Sequence, residues 1–412
     1  MGEKHLDKLY IGIDLGEESV MLSYYHRGME VPSTISTIAG SGNYQIPLAM
    51  AKRIGMGQWA YGQDAQRLER EGKGILVDRL LERGARGESV EIEGREYQIS
   101  ELFILYLKKI LQMPNKLDIS RPVAKLVLAV RKMNPEYMEL FENLRKKLGF
   151  SVEEFEVIDH KECFYFYSCN QEEALKQHQV GLFDCRETEM VYHDLSKKRG
   201  TRPTVVEIEE CTLGNLEGDY DKSFLEMAQT VLGGKITSAV YFVGDIFEGN
   251  WMEESLRYVC RGRRAFIGKN LYSMGACFAA YLKGNEEEWG YVYLGESEFK
   301  MNISLKVWEH SELKFYTLVE AGENWYHNRH SCQVLLDGTN TVDLWLQHPF
   351  GREARIENLE LADLPQRPNK TTRISITADT LSDTSVEITI QDLGFGEIFP
   401  TSGKIWKYKM EF

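Results

Sequence analysis

The chain has 412 residues, a length for two or three domains at roughly 150 residues each, and its 49 basic against 63 acidic side chains give a net charge of -14. An acidic surface repels phosphate backbones, so general nucleic-acid binding is not expected, and 43% hydrophobic with 11% aromatic content excludes wholesale disorder. No apolar run approaches the roughly 20 residues of a membrane span, and MGEKHLDKLY has charges where a signal peptide needs an apolar core. A cytoplasmic protein without a membrane partner is expected. The seven cysteines are odd in number and show no CxxC spacing, which argues against a disulfide framework or a structural zinc site.

In chain order, KLYIGIDLG reads as a strand ending in a Gly-containing turn. ISELFILYLKKIL has helical apolar spacing, with Ser100 as its expected cap. KLVLAV, NPEYMELFENLRKKLGF and EFEVID form a strand–helix–strand unit. Its helix has Asn134 as N-cap, Pro135 in the first turn, Lys146 and Lys147 near the far end, and Gly149 to close it. QVGLFD and EMVYHDL are strand-like, DKSFLEMAQTVL is helical, SAVYFVGD is a strand, and two helical stretches end in NLYSMGACFAAYL. No internal repeat with a period of roughly 20–50 residues is visible.

After Lys283 the texture changes. The acidic connector KGNEEE leads into FKMNISLKVW, KFYTLVEA, CQVLLDG, TVDLWLQ, TRISITADT and VEITIQD, six alternating segments separated by turn residues, the pattern of a β-sandwich. Five of the seven tryptophans fall in this last third. The expected organisation is a domain over 1–283, a linker over 284–288 and a sandwich over 289–412.

Several segments together resemble the actin-like ATPase superfamily, and within it the DnaK-type heat-shock chaperones. YIGIDLGEESV is similar to the first phosphate loop, YGQDA to the GxxA segment, and VDRLLERG to the stretch that carries the catalytic lysine. AKLVLAVRKMNPEYMELFENLRKKLGFSVEEFEVIDHKE resembles the strand–helix–strand before the catalytic glutamate. VGLFDCRETEMVYHD stands at the second phosphate loop, VYFVGDIFEGNW at the adenosine loop, and GKNLYSMGACFAAYL resembles the helix after it. Further on, LADLPQRPNKTTRISITADTLSDTSVEITIQDLGFGE resembles the end of the chaperone substrate-binding sandwich. The resemblance implies an actin-like (ribonuclease H-like) two-lobed α/β domain with a reduced second lobe, followed by a C-terminal β-sandwich without a helical lid. A family of unknown function has this layout, and the chain is identified as a member of it.

The same resemblance defines the site residues. Asp14 and Asp184 stand where the superfamily's two metal-water carboxylates face each other, and are the candidate Mg²⁺ ligands. A bound Mg-ATP or ADP would be held by Gly12, Asp14, Gly16, Asp184, Thr188 and Gly244. The surrounding chemistry argues against a nucleotide. Glu17 and Glu18 occupy the first phosphate turn, and Cys185-Arg186-Glu187-Thr188-Glu189 replaces the glycines of the second, where bare backbone must approach phosphate. Asp78 aligns with the catalytic lysine, and His160 with the catalytic glutamate, which a two-residue slip would restore as Glu162. Asp245 follows Gly244 where a second glycine normally lies, and only about 55 residues separate the second phosphate loop from the adenosine loop.

The expectation is a pseudo-ATPase scaffold that binds protein or extended peptide through its sandwich. The alternative is a divergent Mg-dependent ATP-binding protein or slow ATPase, with Asp14, Asp184 and Glu162 as vestigial catalytic groups. A filament-forming actin relative is disfavoured by the appended sandwich. The acidic cleft, with Asp14, Glu17, Glu18, Asp78, Asp184, Glu187 and Asp245, can instead suit a cation. Weaker signals are His327 and His330 as a metal pair, GSGN at 40–43, and the basic cluster Arg257, Arg261, Arg263 and Arg264.

Overall fold

The computed structural model describes residues 8–37, 42–112, 122–198, 200–285, 289–326, 329–351 and 353–412. It is a mixed α/β chain that separates into two compact units, Met1–Ser196 with Ile208–Glu288, and Lys197–Glu207 with Trp289–Phe412. The segment 197–207, which the sequence analysis leaves in the first domain, thus belongs to the second. Its reason is backbone pairing: Thr204–Val206 run parallel to Tyr291–Tyr293.

Among the described residues the first unit contains, besides a three-stranded and a two-stranded sheet, two larger sheets. One is built from β1 (Leu9–Leu15), β2 (Ser19–Tyr25), β3 (Ser33–Thr34), β4 (Val123–Val130) and β5 (Phe155–Asp159), in the order β5-β4-β1-β2-β3. Strand β1 is antiparallel to β2 and parallel to β4, and β4 is parallel to β5. The other has β6 (Gln179–Arg186), β7 (Glu189–Lys197), β8 (Thr204–Asn215), β9 (Thr237–Val243) and β10 (Arg264–Ile267), in the order β10-β9-β6-β7-β8. Strand β6 is antiparallel to β7 and parallel to β9, and β9 is parallel to β10. The same layout is therefore built twice, although no repeat is legible in the sequence.

Every residue of β1 is buried, as a strand covered on both faces requires. Its cover includes a helix from the far end of the unit. Among the helices used below are α1 (Ile99–Leu111), α2 (Pro135–Leu148), α3 (His160–Cys169), α4 (Tyr220–Leu232) and α5 (Leu271–Lys283). Helix α5 packs so closely on β1 that a Cβ at Gly12 would lie 2.2 Å from the Cys277 nitrogen and 2.4 Å from the Ser273 oxygen. Helix α2 has the expected caps, with Asn134 Oδ1 accepting from Glu136 N–H and Gly149 in the left-handed region. Helix α1 differs from expectation. It begins at Ile99, Gln98 is its N-cap without a side-chain bond, and Ser100 lies inside the first turn. The Ile99 N–H is taken instead by the Glu88 carbonyl at 3.0 Å, so the preceding hairpin supplies what a capping hydroxyl would.

The second unit carries eight strands in two four-stranded sheets among the described residues, two more than the six segments read from the sequence. They are β11 (Asn302–Glu309), β12 (Glu312–Val319), β13 (Arg329–Leu336), β14 (Thr341–Gln347), β15 (Arg355–Glu360), β16 (Thr372–Ser382), β17 (Ser385–Asp392) and β18 (Ile405–Glu411). The sheet orders are β12-β11-β14-β15 and β13-β16-β17-β18. The missed strands, β15 and β18, are edges whose residues are mostly exposed or half-buried, although β18 alternates, with Trp406, Tyr408 and Met410 toward the core. Ile303, Leu305 and Leu344 of one sheet pack with Ile374, Ile376, Ile388 and Ile390 of the other in a single apolar core.

Candidate functional site

Asp14 and Asp184 occupy equivalent places in the two sheets of the first unit. Asp14 lies opposite Met21 on the antiparallel side of β1 and Ala129 on the parallel side. Asp184 lies opposite Val191 and Val243 in the same sense on β6. Both are buried, at 5% and 8% exposure. A buried carboxylate must be matched by hydrogen bonds or charge, and the matching here is made by side chains.

His160 arrives at Asp14 through a helix start. Asp159 ends β5, and its carboxylate accepts from the Glu162 N–H at 2.8 Å, capping α3. The next residue, His160, then points its Nε2 at Asp14 Oδ1, 2.8 Å away. Tyr272, at the start of α5, donates its phenolic O–H to Asp184 Oδ2 at 3.0 Å. The imidazole and phenol rings stack at 3.7 Å between centroids. Arg186 Nη2 adds a longer contact to Asp184 Oδ2 at 3.5 Å. A continuous relay, Asp14–His160–Tyr272–Asp184, therefore joins the two sheets. Burial, then the charge of Asp184, pushes the Tyr272 hydroxyl well above its ordinary pKa, so it remains a donor at any physiological pH.

Both hairpins that follow these aspartates are tight. Gly16 N–H donates to the Ser19 carbonyl at 2.9 Å, leaving Glu17 and Glu18 exposed at the tip. Arg186 pairs with Glu189, and Glu187 takes a left-handed φ of 51° between them. Thr188 lies in the second turn, with its hydroxyl 3.4 Å from Asn215 Oδ1. Gly244 has φ 125°, and a Cβ there would stand 2.1 Å from the Cys185 carbonyl oxygen, so the glycine serves a backbone crossing beside β6. Gly12 likewise serves the packing of α5 on β1.

Glu162 is not joined to Asp14 by any hydrogen bond among the described residues. Its Oε1 accepts from Lys283 Nζ at 2.8 Å, and the same ammonium binds Glu156, which also receives Lys125 at 3.0 Å. Burial raises the Glu162 carboxyl, with Lys283 opposing the shift. This is a buried ion network tying α5 to α3 and β5. Asp78 is exposed and lies 3.8 Å from Arg83.

The remaining signals disperse. Arg257 pairs with Glu253, Arg264 with Glu172, and Arg263 donates to the Leu232 carbonyl. His330 faces Glu323 at 2.8 Å, while His327 lies outside the described residues, as do Gly40 and Ser41 of the GSGN segment. Among the described residues no group of three or more His, Cys, Asp or Glu is arranged to hold a metal ion, and no helix is long and apolar enough to cross a membrane.

Two residues of the site escaped sequence reasoning. Tyr272 reads as one more apolar position on a helix, and its partner Asp184 is 88 residues away, so no local signal marks it. His193, 8% exposed on β7, lies 3.8 Å from Glu210, whose carboxylate binds Lys161 at 2.9 Å. Burial lowers the His193 pKa to about 4, against the pull of Asp184 and Glu210.

The fold and the site thus define a mixed α/β unit with two like-ordered sheets, its strand-end carboxylates bonded by side chains, together with a unit of two four-stranded sheets around one apolar core. Over residues 31–296, well over half its length, the chain matches the C-terminal model of a family of unknown function, DUF5716, and it belongs to that family. Residues 298–412 match a domain of unknown function, DUF8552. A comparison with curated proteins gives no match.

Proposed function

We propose that the chain is a pseudo-ATPase scaffold, an actin-like, heat-shock-chaperone-like protein that binds protein or extended peptide through its sandwich. The observation that carries the reading is the His160–Tyr272 stack. Its two rings use the carboxylate oxygens of Asp14 and Asp184 that a hydrated Mg²⁺ would need, and they fill the space between them. Phosphoryl transfer depends on a metal with its positioned water, and the carboxylates that would hold that metal are engaged here by side chains. The doubled strand order and the equivalent stations of Asp14 and Asp184 support the ribonuclease H-like ancestry.

For the sandwich, the supporting feature is its outer face. Strands β11, β12, β14 and β15 bury Leu305 and Leu344 on one side and present Trp308, Phe315 and Ile356 on the other, at 70%, 57% and 49% exposure. Phe315 packs edge-on to Trp345, which pairs with Ile356 across the sheet. Exposed aromatic side chains of this kind are enriched at binding hot spots.

The test is thermal unfolding of the full chain with Mg-ATP, Mg-ADP and Mg²⁺ alone, alongside an ATP-hydrolysis assay. No stabilisation at millimolar nucleotide is expected, whereas a ligand at 100 times its Kd adds about 2.7 kcal/mol. Hydrolysis that is abolished in Asp14→Ala and Asp184→Ala would overturn the reading. For the sandwich, fluorescence anisotropy of labelled extended apolar peptides should rise with wild type and fall away with a Trp308→Ser/Phe315→Ser variant.

A further inference from the structure

Beside Gly244 a cavity of about 550 Å³ opens between the loop Gly42–Gln45 and the ends of β9 and β10. Small-molecule sites span roughly 300–1,000 Å³, and ligands of α/β sheets collect at the carboxyl ends of parallel strands. Val243 ends β9 and Ile267 ends β10, and with Met21 they give the cavity an apolar floor. Ile267 is 50% exposed there, an aliphatic side chain at the mouth of a pocket.

The wall carries Asp245, Glu248 and Lys269. Lys269 Nζ holds Glu248 at 2.7 Å, so these two charges cancel. Asp245 receives only the neutral amide of Gln45, at 3.2 Å, and no cation among the described residues. One unopposed carboxylate therefore stands beside an apolar floor in a chain whose net charge of -14 enriches cations around it.

We propose that this cavity binds a small organic cation, an apolar or aromatic body bearing one protonated amine, with Asp245 as counter-ion and Met21, Val243 and Ile267 under the body. A phosphate ester is repelled by the same carboxylate. The inference does not rest on the scaffold reading, and failure of either leaves the other standing.

The test is isothermal titration calorimetry on the full chain with tryptamine, tyramine and benzylamine as probes. Indole-3-propionate, the same ring with the opposite charge, is the control. The amines are expected to bind and the acid not. Asp245→Asn should weaken amine binding by up to about fivefold, the worth of a partly exposed ion pair. Lys269→Met, which releases Glu248, should tighten it. Asp245 is exposed and Lys269 is 38% exposed, so both variants should fold, and circular dichroism checks that they do. The proposal is overturned if the acid binds as well as the amines, or if Asp245→Asn leaves affinity unchanged. It is also overturned if no probe gives heat at about 10 mM, ten times the Kd of a 4 kcal/mol interaction.

Discussion

The imidazole of His160 lies flat on the phenol ring of Tyr272, 14° from parallel, and each ring holds one buried carboxylate. Both strand-end aspartates are thereby hydrogen-bonded by side chains. The stack also ties α3 and α5 to opposite sheets. His160 Nδ1 is buried and makes no hydrogen bond, which leaves Nε2 as the working nitrogen.

Removing the stack should expose what it replaces. Tyr272→Phe loses one hydrogen bond to a charged group and should cost about 1.5–3 kcal/mol by urea unfolding. The double variant His160→Ala/Tyr272→Ala removes the His160 bond to Asp14 and leaves Asp184 with the 3.5 Å Arg186 contact, beside a vacated volume. Its melting temperature should rise with Mn²⁺ or Mg²⁺, while that of the wild type should not. Equal cation stabilisation of both proteins would rule out the plug.

His193 makes stability depend on pH in a defined window. Its folded pKa of about 4 lies below the unfolded value near 6.5, because burial disfavours the imidazolium. The unfolded chain therefore takes up the proton first. The stabilisation is complete above about pH 6.5 and is lost as pH falls toward 4, a total of about 3 kcal/mol. His193→Gln should flatten that part of the urea-midpoint profile between pH 7.5 and 4.5; an unchanged slope would assign the loss elsewhere.

Gly12→Ala should prevent the first unit from folding. The added methyl would sit 2.2 Å from helix backbone that has no room to retreat, and overpacking at backbone costs about 3 kcal/mol or more. Gly57→Ala is the control, since nothing lies within 4 Å of its Cβ position. Soluble yield and far-ultraviolet circular dichroism of the two variants should separate cleanly.

The sandwich has its own keystone in Arg367 and Asp392, which make two 2.8 Å bonds at 5% and 0% side-chain exposure. Asp392 also accepts from Ser402 N–H and Oγ and from Gly394 N–H, and the Arg367 guanidinium with these donors holds its carboxyl far below the usual range. Arg367→Ala strands a buried charge and should cost about 3–5 kcal/mol. The folded pKa is depressed, so the contribution is present above about pH 4 and fades as pH drops below it. Unfolding followed by tryptophan emission, with five tryptophans in this part of the chain, reads the effect directly.

Much of this was open to sequence reasoning where the signal is local. The caps of α2 and the alternation of six sandwich strands act within a few residues. Helix α1 shows the limit: Ser100 looked like its cap, but a hairpin carbonyl from Glu88 took the role. The acidic character of the turns at Glu17 and Glu187 was also legible, because it needs only the residue types. His160 was singled out by its station, not by its bond to Asp14.

By itself the sequence determined the acidic character, the change of texture after Lys283, most elements and the acids Glu17, Glu18 and Glu187 at the two turns. These follow from composition and from periodicities that backbone geometry imposes over one or two turns. Only the tertiary structure decided that Tyr272 reaches Asp184, that Gly12 exists for the approach of α5, that the two sheets share one layout, and that 197–207 joins the second unit. Each of these depends on a distance between residues far apart in the chain, where hydrophobic pattern says that a side chain is buried but not which neighbour it meets.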